Sequence, residues 1–240
     1  MIRPIYQLEE TARWGEEWQR AGEWAPHTVA EDEAIKLAAG YLRMVRVASG
    51  RKDNAGIRGL GIGSGAGYLE TAMMRHGIRM VASEWNEDGL RLIKSQNPEL
   101  ERRQLDLLDF VDENNWDLIL CRELYPFTRT NAFSRQMEIL SRLVDALRPG
   151  GVLLLIGSDV SYPHCMDYRL MLRCLRSDPR IARTFGPVLE AAAKRTRAFP
   201  MNAPSYHILN VFFEFAFFAL KRFCGWSLAG IRVYVMVKAG

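Results

Sequence analysis

The chain has 240 residues, 48% of them hydrophobic and 25% charged, with a formal net charge of +4. That composition excludes a disordered or collagen-like chain, and the length allows one large α/β domain with a substantial core. Cys121, Cys165, Cys174 and Cys224 stand far apart with no C-x-x-C pair, so neither a zinc site nor a disulfide framework is expected, and the first residues carry no apolar secretory pattern, so a cytoplasmic protein is expected.

In chain order, the first 25 residues, with Trp14, Trp18 and Trp24, read as an appendage to the sheet elements that follow. The stretch "TVAEDEAIKLAAGYLRMVRVASG" from Thr28 predicts a helix, with Thr28 as N-cap, acids in its first turns and arginines toward its end. "IRGLGIG" predicts a short strand running into a glycine loop, and "GYLETAMMRHG" a helix closing at Gly77. "IRMVASE" then reads as a strand, "NEDGLRLIKSQ" as a helix, "RRQLD" as a short strand and "WDLILC" as an apolar strand. "NAFSRQMEILSRLVDAL" has a helical apolar period, stopped at "RPGG" before the buried strand "VLLLIG". Apolar strands alternating with helices predict an α/β fold: a Rossmann-like, doubly wound, mostly parallel sheet covered on both faces.

Residues 59 to 67, "GLGIGSGAG", carry a glycine at every second position. Glycine costs backbone entropy on folding, so the run implies that something comes closer to the backbone than a side chain permits. The loop lies where the first strand turns into its helix, the ligand position of open parallel sheets. Read as a dinucleotide fingerprint, Gly61, Gly63 and Ala66 satisfy G-x-G-x-x-A, with Glu84 following 23 residues after Gly61. S-adenosylmethionine, which has no phosphate, fits such a loop as well, and the glycines do not separate the two.

"GLGIGSGAG" followed by "VASEW", "LDLLDF", "WDLILCREL" and "LRPGGVLLLIG" resembles, in order and spacing, the motif series of the class I S-adenosylmethionine-dependent methyltransferases. The resemblance covers roughly residues 57 to 157, and "IRVYVMVKAG" is similar to the family's last strand of a seven-stranded sheet. It implies S-adenosyl-L-methionine as cofactor, an N-terminal helical arm at 1–50, and a methyltransferase domain at 51–240 whose variable acceptor region spans about 158–230. By position, Gly61, Gly63, Ser64, Gly65 and Gly67 form the loop beside the methionine part. Glu84 takes the ribose hydroxyls as a two-oxygen acceptor, Asp106 and the Leu107 backbone hold the adenine, Trp85 offers an apolar face, and Cys121 sits beneath the sulfonium. The family usually carries an acid where this chain has Gly61. The resemblance therefore leaves the cofactor's amino group to another partner, such as a loop carbonyl, and leaves a non-catalytic member as an alternative.

A hydroxyl acceptor benefits from a general base beside the cofactor, an amine does not. The candidates follow strand ends: Glu123 in "CRELYPF", and Asp159, Tyr162 and His164 in "GSDVSYPHC", with Glu123 and His164 preferred. Tyr125, Pro126 and Phe127 do not form the N-P-P-Y pattern of amino methyltransferases. His27 and His207 read as structural. Between Arg169 and Arg197 eight basic residues face only Asp178 and Glu190, a cluster that could meet an anionic acceptor but that the helical spacing explains as a solvated face. "ILNVFFEFAFFAL" (208–220) is too short to span a bilayer and is interrupted by Glu214. In layout the C-terminal region is similar to bacterial methyltransferases acting on small molecules or surface glycans, so a small-molecule or glycan acceptor, methylated at a hydroxyl, is expected. A nicotinamide oxidoreductase is the other alternative.

Overall fold

The computed structural model describes residues 29–112, 115–124, 127, 133–158, 167–189 and 231–240. In chain order these form α1 (Glu31–Ser49), β1 (Arg58–Ile62), α2 (Tyr68–Met74), β2 (Arg79–Glu84), α3 (Glu87–Gln96), β3 (Glu101–Gln104), a 3-10 turn (Leu107–Asp109), β4 (Trp116–Arg122), α4 (Phe133–Ala146), β5 (Leu147–Ser158), α5 (Tyr168–Arg176), β6 (Ile181–Leu189) and β7 (Ile231–Lys238). The seven strands form one sheet in the order β3-β2-β1-β4-β5-β7-β6. Pairs from β3 through β5 are parallel, and β7 runs antiparallel to both β5 and β6.

The period of two along each strand sends alternate side chains into two cores. Leu118, Leu120, Val152, Leu154, Val233 and Val235 join Leu37, Tyr41 and Val45 of α1 and Leu69 and Met73 of α2 on one face. Leu60, Ile119, Cys121, Leu153, Leu155 and Tyr234 join Ile139, Leu143 and Val144 of α4 and Met171 and Leu175 of α5 on the other. Helices on both faces give the sheet the Rossmann-like, doubly wound form that the alternating pattern predicts.

Three expectations are modified. Residues 31–49 of the expected arm lie in the main core: α1 starts after Ala30, which makes no side-chain cap, and Ala34, Leu37, Ala38 and Tyr41 are fully buried, while Thr28 lies outside the described residues. The helix expected to close at Gly77 ends at Met74, and Gly77, at φ 84°, donates to the Met74 carbonyl in the turn beyond it. The "RPGG" stop is a corner within β5: Trp116 pairs with Leu147, then Leu118 with Val152, so residues 148–151 are bulged out of the register. Proline without an N–H and Gly150 at φ 74° suit that corner, and a Cβ on Gly151 would fall 2.7 Å from the Trp116 carbonyl. Arg148 of the corner pairs with Asp117, which also accepts from Arg51 Nη2 at 2.7 Å and from the Arg58 N–H at 3.0 Å. The corner thus ties β5 to β1 and β4 at the end of the sheet away from the glycine loop.

Candidate functional site

The carboxyl ends of β1, β2 and β4 meet at the glycine loop, because Ile62 is in register with both Ser83 and Cys121. The order β2-β1-β4 makes this the point where the chain's crossovers change direction, so the loop opens over a crevice.

The five glycines serve two different purposes. Gly59 and Gly61 lie in β1 and face the α1–α2 side, where the chain's own side chains make the close approach. A Cβ on Gly59 would collide with Met80 Sδ, and one on Gly61 would fall 2.8 Å from Glu70 Cδ and closer still to Oε1. Gly63, Gly65 and Gly67, at φ 66°, 57° and 77°, turn the loop through left-handed conformations that side-chain-bearing residues rarely adopt.

The loop's polar groups are largely engaged within the protein. The N–H groups of Ser64 and Gly67 donate to the Ser83 and Ser64 carbonyls at 3.0 and 2.9 Å, and the Gly65 N–H donates to Glu84 Oε1 at 2.7 Å. The Gly61 carbonyl accepts from the Ser83 hydroxyl at 2.8 Å, and the Ser64 hydroxyl, which accepts from the Ser83 N–H at 3.1 Å, lies 3.2 Å from it. The Ala66 carbonyl accepts from Asn97 Nδ2 at 2.8 Å, and the Gly67 carbonyl from the Thr71 N–H at 3.0 Å.

Glu84, the last residue of β2, is 7% exposed and is thereby held against the loop. Asp106 follows β3 and caps the 3-10 turn, its Oδ1 accepting from the Leu108 N–H at 2.9 Å. Leu107 is buried in that turn. Trp85 is half-buried outside both cores, and its carbonyl accepts from Gln104 Nε2 at 2.9 Å. Glu84, Trp85, Asp106 and the loop thus share one edge of the sheet.

Cys121 is placed differently from the expectation. It is fully buried among Leu60, Ile119 and Leu155 in the α4–α5 core, and burial pushes its thiol pKa upward. The pleat turns its neighbours Leu120 and Arg122 to the crevice instead. Glu123 follows the end of β4 at φ 52°, a left-handed conformation costly for glutamate and of the kind found at functional sites. It is half-buried, and its N–H donates to the Ile156 carbonyl at 2.8 Å. His164, with Asp159, Tyr162, Tyr125, Pro126, His27 and His207, lies outside the described residues, as does the apolar stretch 208–220.

The residue that the sequence reading missed is Glu70. It lies in the first turn of α2, in "GYLE", and is 3% exposed. With Gly63, Ser64, Leu120 and Arg122 it lines a crevice that is open to solvent. Burial raises its pKa from 4.5 to about 7, against the opposing hydrogen bonds of its own backbone N–H and the Ser64 hydroxyl. Its Oε2 is buried with no hydrogen-bond partner among the described residues. The signal for it was a pair: a glycine where an acid is usual, and an acid nine residues later on the first buried helical face.

The basic region 167–180 is amphipathic: Met171, Leu172 and Leu175 of α5 are buried, while Arg173 and Arg176 are exposed. Arg180 pairs with Asp145 (2.8 Å) and Asp178 (2.7 Å). Among the described residues no helix is long and apolar enough to cross a membrane.

Residues 60–155 match a family model described as a methyltransferase domain. No curated protein matches the sequence. Among solved structures, the chain is similar to the N-methyltransferase NodS from Bradyrhizobium japonicum (13% identity, 88% of this chain and 100% of that one, TM-score 0.54). It is similar also to a TehB-like SAM-dependent methyltransferase from Corynebacterium glutamicum (13% identity, 98% and 99%, TM-score 0.51). A third similar structure is the cyclase SpnF (13% identity, 97% and 95%, TM-score 0.55). At such identity these likenesses concern the fold, and a cyclase among them illustrates that one fold hosts different reactions.

Proposed function

We propose that this chain is a class I S-adenosylmethionine-dependent methyltransferase, a reading that the methyltransferase-domain match over residues 60–155 supports, and that it methylates a small-molecule or carbohydrate acceptor at a hydroxyl. The observation that carries the cofactor side of this reading is the charge around the glycine loop. Two buried carboxyl groups, Glu70 and Glu84, flank it, and the N–H groups of Ser64, Gly65 and Gly67 are already engaged. A pyrophosphate needs free N–H donors at the helix N-terminus. A ligand with an ammonium group, a sulfonium and ribose hydroxyls suits the loop, which disfavours the nicotinamide alternative.

In this reading Gly63, Ser64, Gly65 and Gly67 receive the cofactor's amino-acid part. Glu84 serves the ribose from a position held by the Gly65 N–H, and Asp106 with Leu107 serves the adenine beside Trp85. Bound S-adenosylmethionine supplies a methyl group already activated on sulfur, so alignment and exclusion of water carry much of the rate. Glu123, at the rim of β4, takes the proton of the acceptor hydroxyl, and His164 is the second candidate for that role. The expectation of a small or glycan acceptor draws support from the layout of the C-terminal region and from the absence of an N-P-P-Y pattern after Cys121.

The test pairs calorimetric titration with S-adenosylhomocysteine and with NAD, followed by a turnover screen of sugar, phenol and amine acceptors that measures S-adenosylhomocysteine release. Binding of S-adenosylhomocysteine alone and turnover on hydroxyl acceptors is the expected result. Turnover confined to amines refutes the hydroxyl assignment, and binding of NAD alone refutes the cofactor.

A further inference from the structure

We propose that Glu70 is the counter-charge for the ammonium group of the cofactor's amino-acid part, reached across Gly61 from the helix that follows the loop. This rests on the cofactor reading above and answers the question raised by the missing strand acid.

Gly61 and Glu70 act as a pair. The carboxyl group of Glu70 fills the space that any side chain on residue 61 would enter, so the glycine is what admits it. An acid at position 61 and the present placement of Glu70 are mutually exclusive for the same reason. The carboxyl lies at 3% exposure on the crevice wall with Gly63 and Ser64, and its Oε2 has no hydrogen-bond partner among the described residues. Leaving a buried carboxyl oxygen unpaired costs free energy that an ammonium donor would recover. Of the loop carbonyls, those of Gly61, Ser64, Ala66 and Gly67 already accept hydrogen bonds within the protein. Arg122 also lines the crevice, from β4.

The experiment titrates the full-length protein calorimetrically with two probes, S-adenosylhomocysteine and 5′-methylthioadenosine, which lacks the amino-acid part. Near-ultraviolet circular dichroism checks that each variant is folded. Glu70→Gln keeps the shape and removes the charge. It is expected to weaken S-adenosylhomocysteine by about 30-fold or more, the loss typical of removing one member of a buried charged pair, and to leave methylthioadenosine within about twofold. Gly61→Asp combined with Glu70→Ala returns the acid to the strand and is expected to recover at least about tenfold over Glu70→Ala alone. Equal loss for both probes means that Glu70 only shapes the loop, and unchanged S-adenosylhomocysteine affinity means that it faces no ammonium; either overturns the proposal. Wild-type protein that binds neither probe overturns the cofactor reading itself, a result distinct from both.

Discussion

Glu70→Gln should change the pH dependence of stability even without ligand. The native carboxyl has its pKa raised from 4.5 to about 7 because it is buried at 3% exposure. Between those two values the folded chain keeps a proton that the unfolded chain has released, so stability falls as pH rises through this window and levels off above about 7. At about 1.4 kcal/mol for each tenfold change in acidity, the loss amounts to about 3 kcal/mol. Among the described residues, Arg122 on the crevice wall and Glu84 on the Gly65 N–H also carry charge near the loop, and both remain in the variant. Urea denaturation of both proteins at pH 5 and pH 8 isolates the effect, since every other carboxyl titrates equally in the two. The variant should gain about 3 kcal/mol on the wild type between those pH values. Parallel profiles would refute the burial argument, because they require Glu70 to titrate alike in both states. Saturating S-adenosylhomocysteine should reduce the wild-type fall, since an ammonium partner favours the ionised carboxylate.

Glu84→Ala and Asp106→Ala should each weaken S-adenosylhomocysteine by roughly 10- to 100-fold in calorimetry, the range for hydrogen bonds to charged groups. Glu84→Ala should in addition lower the melting temperature, because it releases the Gly65 N–H. Asp117→Ala should cost about 2–4 kcal/mol in chemical denaturation without affecting cofactor affinity, since it strands Arg51, Arg148 and the Arg58 N–H at the other end of the sheet. Glu123→Gln should lower kcat by about 10²-fold or more on a hydroxyl acceptor, with S-adenosylhomocysteine affinity retained. A similar kcat in both proteins would remove Glu123 from the reaction.

Much of this molecule was legible in the sequence because its signals are local. Periodicities of 2 and 3.6, the glycine loop and the apolar strands depend on near neighbours in the chain, and they predicted the alternating elements and the sheet's doubly wound form. Glu84 and Asp106 could be placed because strand ends in a parallel sheet share one edge. What depended on the third dimension escaped. Cys121 and Arg122 are adjacent in sequence, but the pleat sends one into the α4–α5 core and the other to the crevice. The α1 helix was set apart as an arm because its apolar stripe could not reveal which surface it covers, namely the β5 and β7 side of the sheet. Above all, the run of glycines showed by itself that the backbone is closely approached, but not by what. Only the packing of α2 on β1 decided that Gly61 is met by Glu70, because a side chain on a helix and a gap on a strand become neighbours through the crossover between them, not through their spacing in the chain.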